Sequence, residues 1–172
     1  MTAAAGSADI FVSKLDSSGS FVWAKQMVGN SVSLGSSLSV DENGNPCLTG
    51  YFSGTVDFDP GTGTVYLSAF GSYDIFVLWL DNLGTFIRVS QLGGTDYEYA
   101  ESVVVDSVDN VHLTARGRTH FSCRCPSMVQ AAFAKSCSAR RIGCVVSVLL
   151  LMRSTAFHKG LKSVRRAARP SR

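Results

Sequence analysis

The sequence has few of the residues on which catalytic and metal sites depend. It contains three histidines, and residues 1–115 contain one of them, His112, together with one cysteine, Cys47. No phosphate-binding loop, Gly-x-Ser-x-Gly sequence or histidine pair at metal-ligand spacing is present. We therefore predict no catalytic residues and no cofactor, and His112 reads as an ordinary strand residue. The sequence does not predict an enzyme.

Long apolar runs are also missing. The longest, at 144–152, has nine residues, whereas a membrane-spanning helix needs about 20. The N-terminal sequence MTAAAGSADIF has neither the basic nor the apolar segment of a secretory signal. We therefore expect no membrane span, and no signal peptide is visible.

Acidic residues are absent beyond Asp109. Residues 1–115 contain 13 acidic and three basic residues, a net charge of −10, whereas residues 116–172 contain 13 basic and no acidic residues. Four of the five cysteines also lie in the second part, at Cys123, Cys125, Cys137 and Cys144. The sequence is therefore divided into a region 1–116 and a basic, cysteine-containing tail 117–172.

The first region contains an internal copy. Residues 74–94 (DIFVLWLDNLGTFIRVSQLGG) repeat residues 9–29 (DIFVSKLDSSGSFVWAKQMVG) at a distance of 65 residues. Without a gap, 16 of 42 positions are identical when 9–50 is aligned with 74–115. A fixed period of this kind indicates a repeat architecture, in which similar units stack on each other.

Runs of β-branched and aromatic residues in the copies are separated by Asp, Ser and Gly turns, which is typical of antiparallel hairpins. We find no helical period before residue 116 and predict an all-β fold, with Phe76 and Leu80 in the core. The predicted strands cover 9–16, 19–27, 37–41, 47–52, 55–59, 64–69, 102–106 and 111–115, and the 9–27 hairpin recurs at 74–93.

Three phrases in fixed order, DIFVSKLDSSGSFVWAKQ, SVDENGNPCLTGYFSGTVDFDPG and YDIFVLWLD, resemble the SBBP class of β-propeller repeats over residues 9–115. This class occurs in bacterial secreted or surface proteins, so the resemblance implies an extracellular or cell-surface location and no shared enzymatic activity. It also implies that 9–27 are the outer strands of one blade, 37–93 a whole blade and 100–116 the inner strands of a third. The strands alone would also suit an antiparallel sandwich, although a sandwich does not need a gapless internal copy.

A propeller needs typically about 4–8 blades, and this region holds fewer than two periods. We therefore expect either a fragment of a longer protein or self-association through open blade edges. Two functions remain: a non-catalytic structural or interaction module with a protein or glycan partner, or the scaffold of a propeller enzyme whose site lies in other blades. Binding of nucleic acid or an anionic surface by the basic tail is a weaker alternative, because the tail matches no nucleic-acid motif.

Two carboxylates form the one candidate metal site in the first region. Asp57 and Asp59 are two residues apart before the turn at Pro60, and clustered oxygens of this kind suit Ca²⁺. Asp-Pro-Gly is also a plain turn former, which is the favoured interpretation. Asp41 and Asp106, which occupy equivalent positions in the two copies, are expected to cap their hairpins.

The repeat stops at Arg116, in the middle of a blade. A shift of reading frame near this position would explain the change, and we expect the tail to be disordered or transiently helical over 127–140 and 145–153, outside the β-sheets. A zinc site made of Cys123, Cys125, Cys137, Cys144 and His120 is disfavoured, because the spacing of these cysteines does not match the paired ligands of a usual structural site.

Overall fold

The computed structural model describes residues 7–117, 122–124 and 146–150, the last two ranges by their backbone alone. These residues form twelve strands and no helix, and so no described helix is long and apolar enough to cross a membrane. The strands are β1 (Ile10–Leu15), β2 (Phe21–Gly29), β3 (Ser33–Val40), β4 (Pro46–Phe52), β5 (Thr55–Asp57), β6 (Tyr66–Ser68), β7 (Asp74–Leu80), β8 (Phe86–Gly93), β9 (Glu98–Val105), β10 (Val111–Gly117), β11 (Ser122–Arg124) and β12 (Val146–Leu150).

The strands are arranged in three antiparallel sheets, each built around one repeat unit. The first unit is the β1–β2 hairpin, the second unit is the sheet β3-β4-β7-β8, and the third unit is the β9–β10 hairpin. Strands β5 and β6 extend the first unit beyond β2, β11 extends the second unit beyond β8, and β12 pairs with β10 of the third unit. The second unit is thus a four-stranded sheet of the kind that forms a propeller blade, with a hairpin on either side, as the resemblance to β-propeller repeats implies.

The two copies have the same strand pairing. Both outer hairpins show a register irregularity at equivalent positions, after Lys14 and after Trp79. Both inner hairpins show one immediately before the equivalent Ser37 and Ser102. The equivalent pairs are Ile10 with Met27 and Ile75 with Leu92 in the outer hairpins, and Val40 with Pro46 and Val105 with Val111 in the inner hairpins. The gapless sequence copy is therefore a copy of the backbone as well.

Two apolar layers hold the units together. Residues of one face of the second unit, among them Phe76, Leu78 and Leu80, pack against Ile10 and Met27 of the first unit. The opposite face of the second unit packs on the third unit through Ile75, Val77, Trp79 and Leu92 on one side and Val103, Val111, Leu113 and Ala115 on the other. Complete burial of such a side chain contributes about 1.5–3 kcal/mol, so the second unit, covered on both faces, is the centre of the molecule. Phe76 and Leu80 are core residues, as predicted.

The strand bounds differ from the predicted ones most clearly in four strands. Strands β3 and β9 begin four residues before the predicted starts at 37 and 102, because their first residues pair with the ends of β4 and β10. The predicted strands 55–59 and 64–69 are shorter, at Thr55–Asp57 and Tyr66–Ser68. Strand β5 pairs with β2 of the first unit and β6 pairs with β5, so neither joins the sheet of the second unit that they interrupt.

One part of the tail also differs from the prediction. Residues 145–153 were expected to be transiently helical and separate from the sheets, but Val146–Leu150 is a strand paired with β10, and Ser122–Arg124 is a strand paired with β8. The edges of β10 and β8 offer backbone N–H and C=O groups that such segments can pair with, and valine favours strands. The rest of the tail, including 127–140, lies outside the described residues, and the reading-frame hypothesis stays a prediction that sequencing of the locus would test.

Candidate functional site

Four tyrosines lie together where the second and third units meet. This tyrosine cluster consists of Tyr51 in β4, Tyr73 just before β7, Tyr97 just before β9, and Tyr99 in β9. The ring of Tyr51 is nearly perpendicular to those of Tyr73 and Tyr99, with centroids 5.4 and 4.8 Å apart. The rings of Tyr97 and Tyr99 are parallel within 8°, with centroids 6.4 Å apart. Edge-to-face and offset contacts of this kind stabilise the ring positions.

The backbone that positions the cluster recurs in the other copy. Tyr73 and Tyr97 form a parallel bridge, and the equivalent bridge 65 residues earlier joins Ala8 and Val32. Tyr99 takes the position that Leu34 has in the earlier copy, and the N–H of Glu98 donates to the carbonyl of Tyr73 at 3.0 Å. The scaffold therefore places the tyrosines but does not require them.

One ion pair borders the cluster. The guanidinium of Arg116 lies 5.1 Å from the ring centre of Tyr99, and its Nε is 2.8 Å from Oε1 of Glu101. The pair is exposed, so it contributes little to stability, but it neutralises the arginine charge at the edge of the cluster. Burial, followed by the neighbouring Tyr73 and Tyr51, raises the pKa of Tyr99.

The tyrosine hydroxyls do not hold the cluster together. Within the described part of the chain, no hydrogen bond is found to any of the four phenol oxygens, and Tyr97 is 43% exposed. Since all four side chains are partly exposed, their hydroxyls can be hydrated by solvent.

A second surface feature is the N-terminal apolar face, which consists of Phe11, Leu15 and Phe21 on one side of the first unit. Their side chains are 69%, 58% and 68% exposed. The equivalent residues of the second unit are Phe76 and Leu80, both fully buried, and Phe86, which packs against the same core. The same face is thus covered in one copy and open in the other.

The predicted calcium ligands lie at the end of β5 and in the loop that follows. Oδ1 of Asp57 accepts hydrogen bonds from the N–H groups of Asp59 and Val65, at 3.1 and 2.8 Å, and Oδ1 of Asp59 accepts one from Gly61 at 2.8 Å. The described residues contain no group of three or more His, Cys, Asp or Glu side chains arranged to hold a metal ion. These contacts favour the turn interpretation. Calcium binding stays a prediction, which unfolding in calcium and in chelator would test.

The repeated aspartates close the hairpins. Oδ1 of Asp41 accepts from two N–H groups of its turn, Asn43 at 2.9 Å and Asn45 at 2.8 Å, and Asp106 does the same with Val108 and Asn110. The side-chain amide of Asn110 and then the backbone N–H groups lower the pKa of Asp106 to about 2, against its desolvation. His112 lies in β10 with Nε2 3.3 Å from Oδ2 of Asp106.

A further repeated pair explains the matching Asp and Gln of the two copies. Oδ2 of the buried Asp74 accepts from Nε2 of Gln91 at 2.6 Å, and Asp9 and Gln26 make the same contact at 2.8 Å. Each pair links the two strands of an outer hairpin. Cys47 is buried and unbridged, and burial raises its pKa to about 12, so its thiol is protonated at neutral pH. Neither feature provides a reactive group at the surface.

The sequence did not predict the tyrosine cluster, because the four residues are spread over 49 positions and meet only through strand pairing. The signal in the sequence was the exchange of Ala8, Val32 and Leu34 for tyrosine at the equivalent positions of the second copy. The tail cysteines and His120 lie outside the described residues, except for the backbone of Cys123.

Face-to-face packing of similar antiparallel sheets, in a fixed repeat, defines an all-β repeat protein with a propeller-like arrangement. The chain is similar to an uncharacterised WD repeat-containing protein of Acanthamoeba polyphaga mimivirus, with 24% identity over 107 residues. The match covers 54% of this chain and 8% of the relative, so the chain spans a small part of that protein's length. WD repeats form four-stranded propeller blades, which agrees with the fold described above. No protein-family model matches the chain.

Proposed function

We propose that this chain is a non-catalytic interaction module of a β-propeller repeat protein of the SBBP type. It stacks against further units of the same kind and presents its loops to a protein or glycan partner. The N-terminal apolar face carries this proposal, because three large apolar side chains are open there while their equivalents in the second unit are covered. The similarity to a WD repeat protein supports the same class.

The chain itself indicates what would cover the open face. In the second unit, the residues equivalent to Phe11 and Leu15 pack against Ile10, Val12 and Met27 of the neighbouring unit. Another unit that presents residues of this kind would bury Phe11, Leu15 and Phe21 in the same way. Exposed apolar patches on folded proteins commonly mark such contacts.

The test is the association state of the full chain in solution. We expect the wild type to associate with increasing concentration in sedimentation experiments, and the double variant Phe11→Ser, Leu15→Ser to associate much less. Leu83→Ser is the matched control, because Leu83 is 70% exposed in a turn that lies outside the face. Equal association of the wild type and the double variant would contradict the proposal.

The resemblance to SBBP repeats also supports a location outside the cell or at its surface, which forms part of the proposal. Fractionation of the source cells, with detection of the native protein by antibody, would test it. Recovery in the cytoplasmic fraction alone would contradict this part of the proposal and leave the stacking test unaffected.

A further inference from the structure

The chain carries the two halves of one blade in its first and third units. In the second unit, β4 of the inner hairpin pairs with β7 of the outer hairpin. Within the described residues, the first unit has an outer hairpin without inner strands, and β1, the equivalent of β7, is the edge strand of its sheet. The third unit has the inner hairpin β9–β10. The free edge of β1 and the edge of β10 are therefore complementary, as the paired edges of β7 and β4 are.

Strand β12 shows that the edge of β10 accepts a further strand. It pairs with β10 on the edge that β4 offers to β7. Its register is not that of the repeat, because Leu149 and not residue 144 lies opposite His112. In the described part of the chain, β12 brings no second strand with it, so this sheet has three strands where the second unit has four of its own. An outer hairpin would complete the third unit as a blade.

The first junction shows how the turn of an outer hairpin is held by a neighbouring unit. The turn of the second unit, residues 81–84, lies on the first unit. The carbonyl of Asn82 accepts hydrogen bonds from Nζ of Lys14 at 3.0 Å and from Nε1 of Trp23 at 3.1 Å. Gly84 lies so close that a β-carbon there would come within 3.2 Å of the Trp23 ring. One turn carbonyl is thus held by a cation and an indole N–H.

The second junction has the same two kinds of donor with the strands exchanged. Trp79 takes the position of Lys14 and Arg88 that of Trp23, and Cζ of Arg88 lies 4.8 Å from the centre of the Trp79 ring. The indole N–H of Trp79 is buried and makes no hydrogen bond within the described residues. Both side chains line a cleft of about 160 Å³, together with Ile87 and the turn aspartates Asp41 and Asp109. A buried indole N–H usually has a partner, and the first junction indicates that a turn carbonyl is that partner.

We propose that the third unit is a docking site for the β1–β2 hairpin of a second copy of this chain. Strand β1 of the second copy replaces β12 on the edge of β10, in the register that β7 has on β4. Its turn, residues 16–19, enters the cleft, where the carbonyl of Ser17, the equivalent of Asn82, accepts a hydrogen bond from Nε1 of Trp79. This inference rests on the proposed function as a stacking module and names the partner and the contact.

The N-terminal apolar face explains why the hairpin of a second copy displaces β12. Docked in this way, Phe11 and Leu15 of the second copy lie against the second unit, in the position that Phe76 and Leu80 have against the first unit. In the single chain, Phe11 and Leu15 are 69% and 58% exposed. Docking therefore removes apolar surface from water that the pairing of β12 leaves open.

The contact joins two different surfaces, so it can continue from copy to copy and close into a ring. Each chain brings two outer and two inner hairpins, which make two blades. Since propellers typically close with about 4–8 blades, about two to four copies would form the ring. We expect the wild type to reach a limiting size in this range in sedimentation experiments, and growth without a limit would contradict closure.

The decisive experiment mixes two variants of the full chain, each lacking one side of the contact. Ile87→Trp fills the cleft, and the double variant Phe11→Ser, Leu15→Ser removes the apolar residues of the hairpin. We expect each variant to stay monomeric at a concentration where the wild type associates. The equimolar mixture should form a 1:1 dimer, because each variant keeps the side that the other lacks. Leu83→Trp, at an exposed turn position that does not line the cleft, is the matched control and should associate like the wild type.

A mixture that stays monomeric would overturn the proposal, and so would wild-type association of Ile87→Trp. If the double variant alone loses association in either case, the proposed function stands, because the N-terminal apolar face then packs on another surface. Circular dichroism shows whether each variant folds. If Ile87→Trp does not fold, Trp79→Phe replaces it, since it keeps an aromatic ring, lacks the N–H donor and should weaken association by about tenfold.

Discussion

At the scale of single residues, four hairpin turns share one design but differ in one position. Asp16, Asp41, Asp81 and Asp106 each accept backbone hydrogen bonds through Oδ1. The third residue after the aspartate has a positive φ, and it is Gly in three turns and Asp109, with φ 63°, in the fourth. The left-handed conformation is unfavourable for residues other than glycine. The fourth turn is therefore strained where the other three are relaxed.

We expect Asp109→Gly to raise the free energy of unfolding by up to about 1 kcal/mol, because the relief of strain exceeds the added entropy of the unfolded chain. Chemical denaturation followed by circular dichroism would measure the change. Gly19→Ala is the reverse control, since φ there is +82° and nothing lies within 4 Å of the added methyl group. It should destabilise by about 1 kcal/mol through the backbone alone. A destabilised Asp109→Gly would show that the aspartate side chain contributes to the turn.

The turn aspartates also predict a pH dependence. The pKa of Asp106 falls from 3.8 to about 2 on folding, so its contribution to stability is present above pH 3.8 and is lost as the pH falls towards 2. We expect the wild type to exceed Asp106→Asn in denaturation midpoint at neutral pH, and the difference to shrink over that range. Parallel curves for the two proteins from neutral pH down to acid would refute a role for the charge.

At the scale of strands and hairpins, the repeat predicted the structure that forms between residues close in sequence. The four hairpins lie where the sequence places them, because turn residues and alternating apolar residues act over a few positions. The pairing of β5 with β2 was not predictable in this way, since it joins residues of different units. The early starts of β3 and β9 depend likewise on partner strands. The tyrosine cluster, which forms across strands β4, β7 and β9, needed the structure for the same reason.

Equivalent side chains of the two outer hairpins should contribute differently to the free energy of unfolding. We expect Phe76→Ala and Leu80→Ala to lower the free energy of unfolding by roughly 2–5 kcal/mol, because each leaves a cavity in the buried layer. Phe11→Ala and Leu15→Ala, at the equivalent exposed positions, should change it by less than about 1 kcal/mol. Urea denaturation at low protein concentration, where the chain does not associate, compares the two pairs. Similar losses in both pairs would mean that the N-terminal apolar face is covered in solution.

At the scale of the whole molecule, the backbone amides of the second unit should be better protected from hydrogen exchange than those of the first unit. Strands β4 and β7 are interior strands of the five-stranded sheet and almost wholly buried, whereas β1 is an edge strand of the first unit. We expect backbone amides of β4 and β7 to exchange with deuterium most slowly and those of β1 considerably faster. Hydrogen exchange with mass spectrometry measures both. Equal rates would indicate that the units open together as one cooperative structure.

The pairing of β5–β6 with β2 has a consequence for the order in which the chain folds. The four hairpins close over short turns, so they form early, whereas the contact of β2 with β5 must wait for the ends of a longer loop to meet. Until then the β1–β2 hairpin, which shares register and turn with β7–β8, can compete for the edge of β4, although it would place Ser13 and Lys14 where Leu78 and Trp79 are buried. Exchange of one for the other is a kinetic trap of the kind that repeat proteins encounter. Once Val56 and Asp57 of β5 have paired with β2, the edge of β2 differs from that of β8. This late contact fixes each hairpin in its own unit.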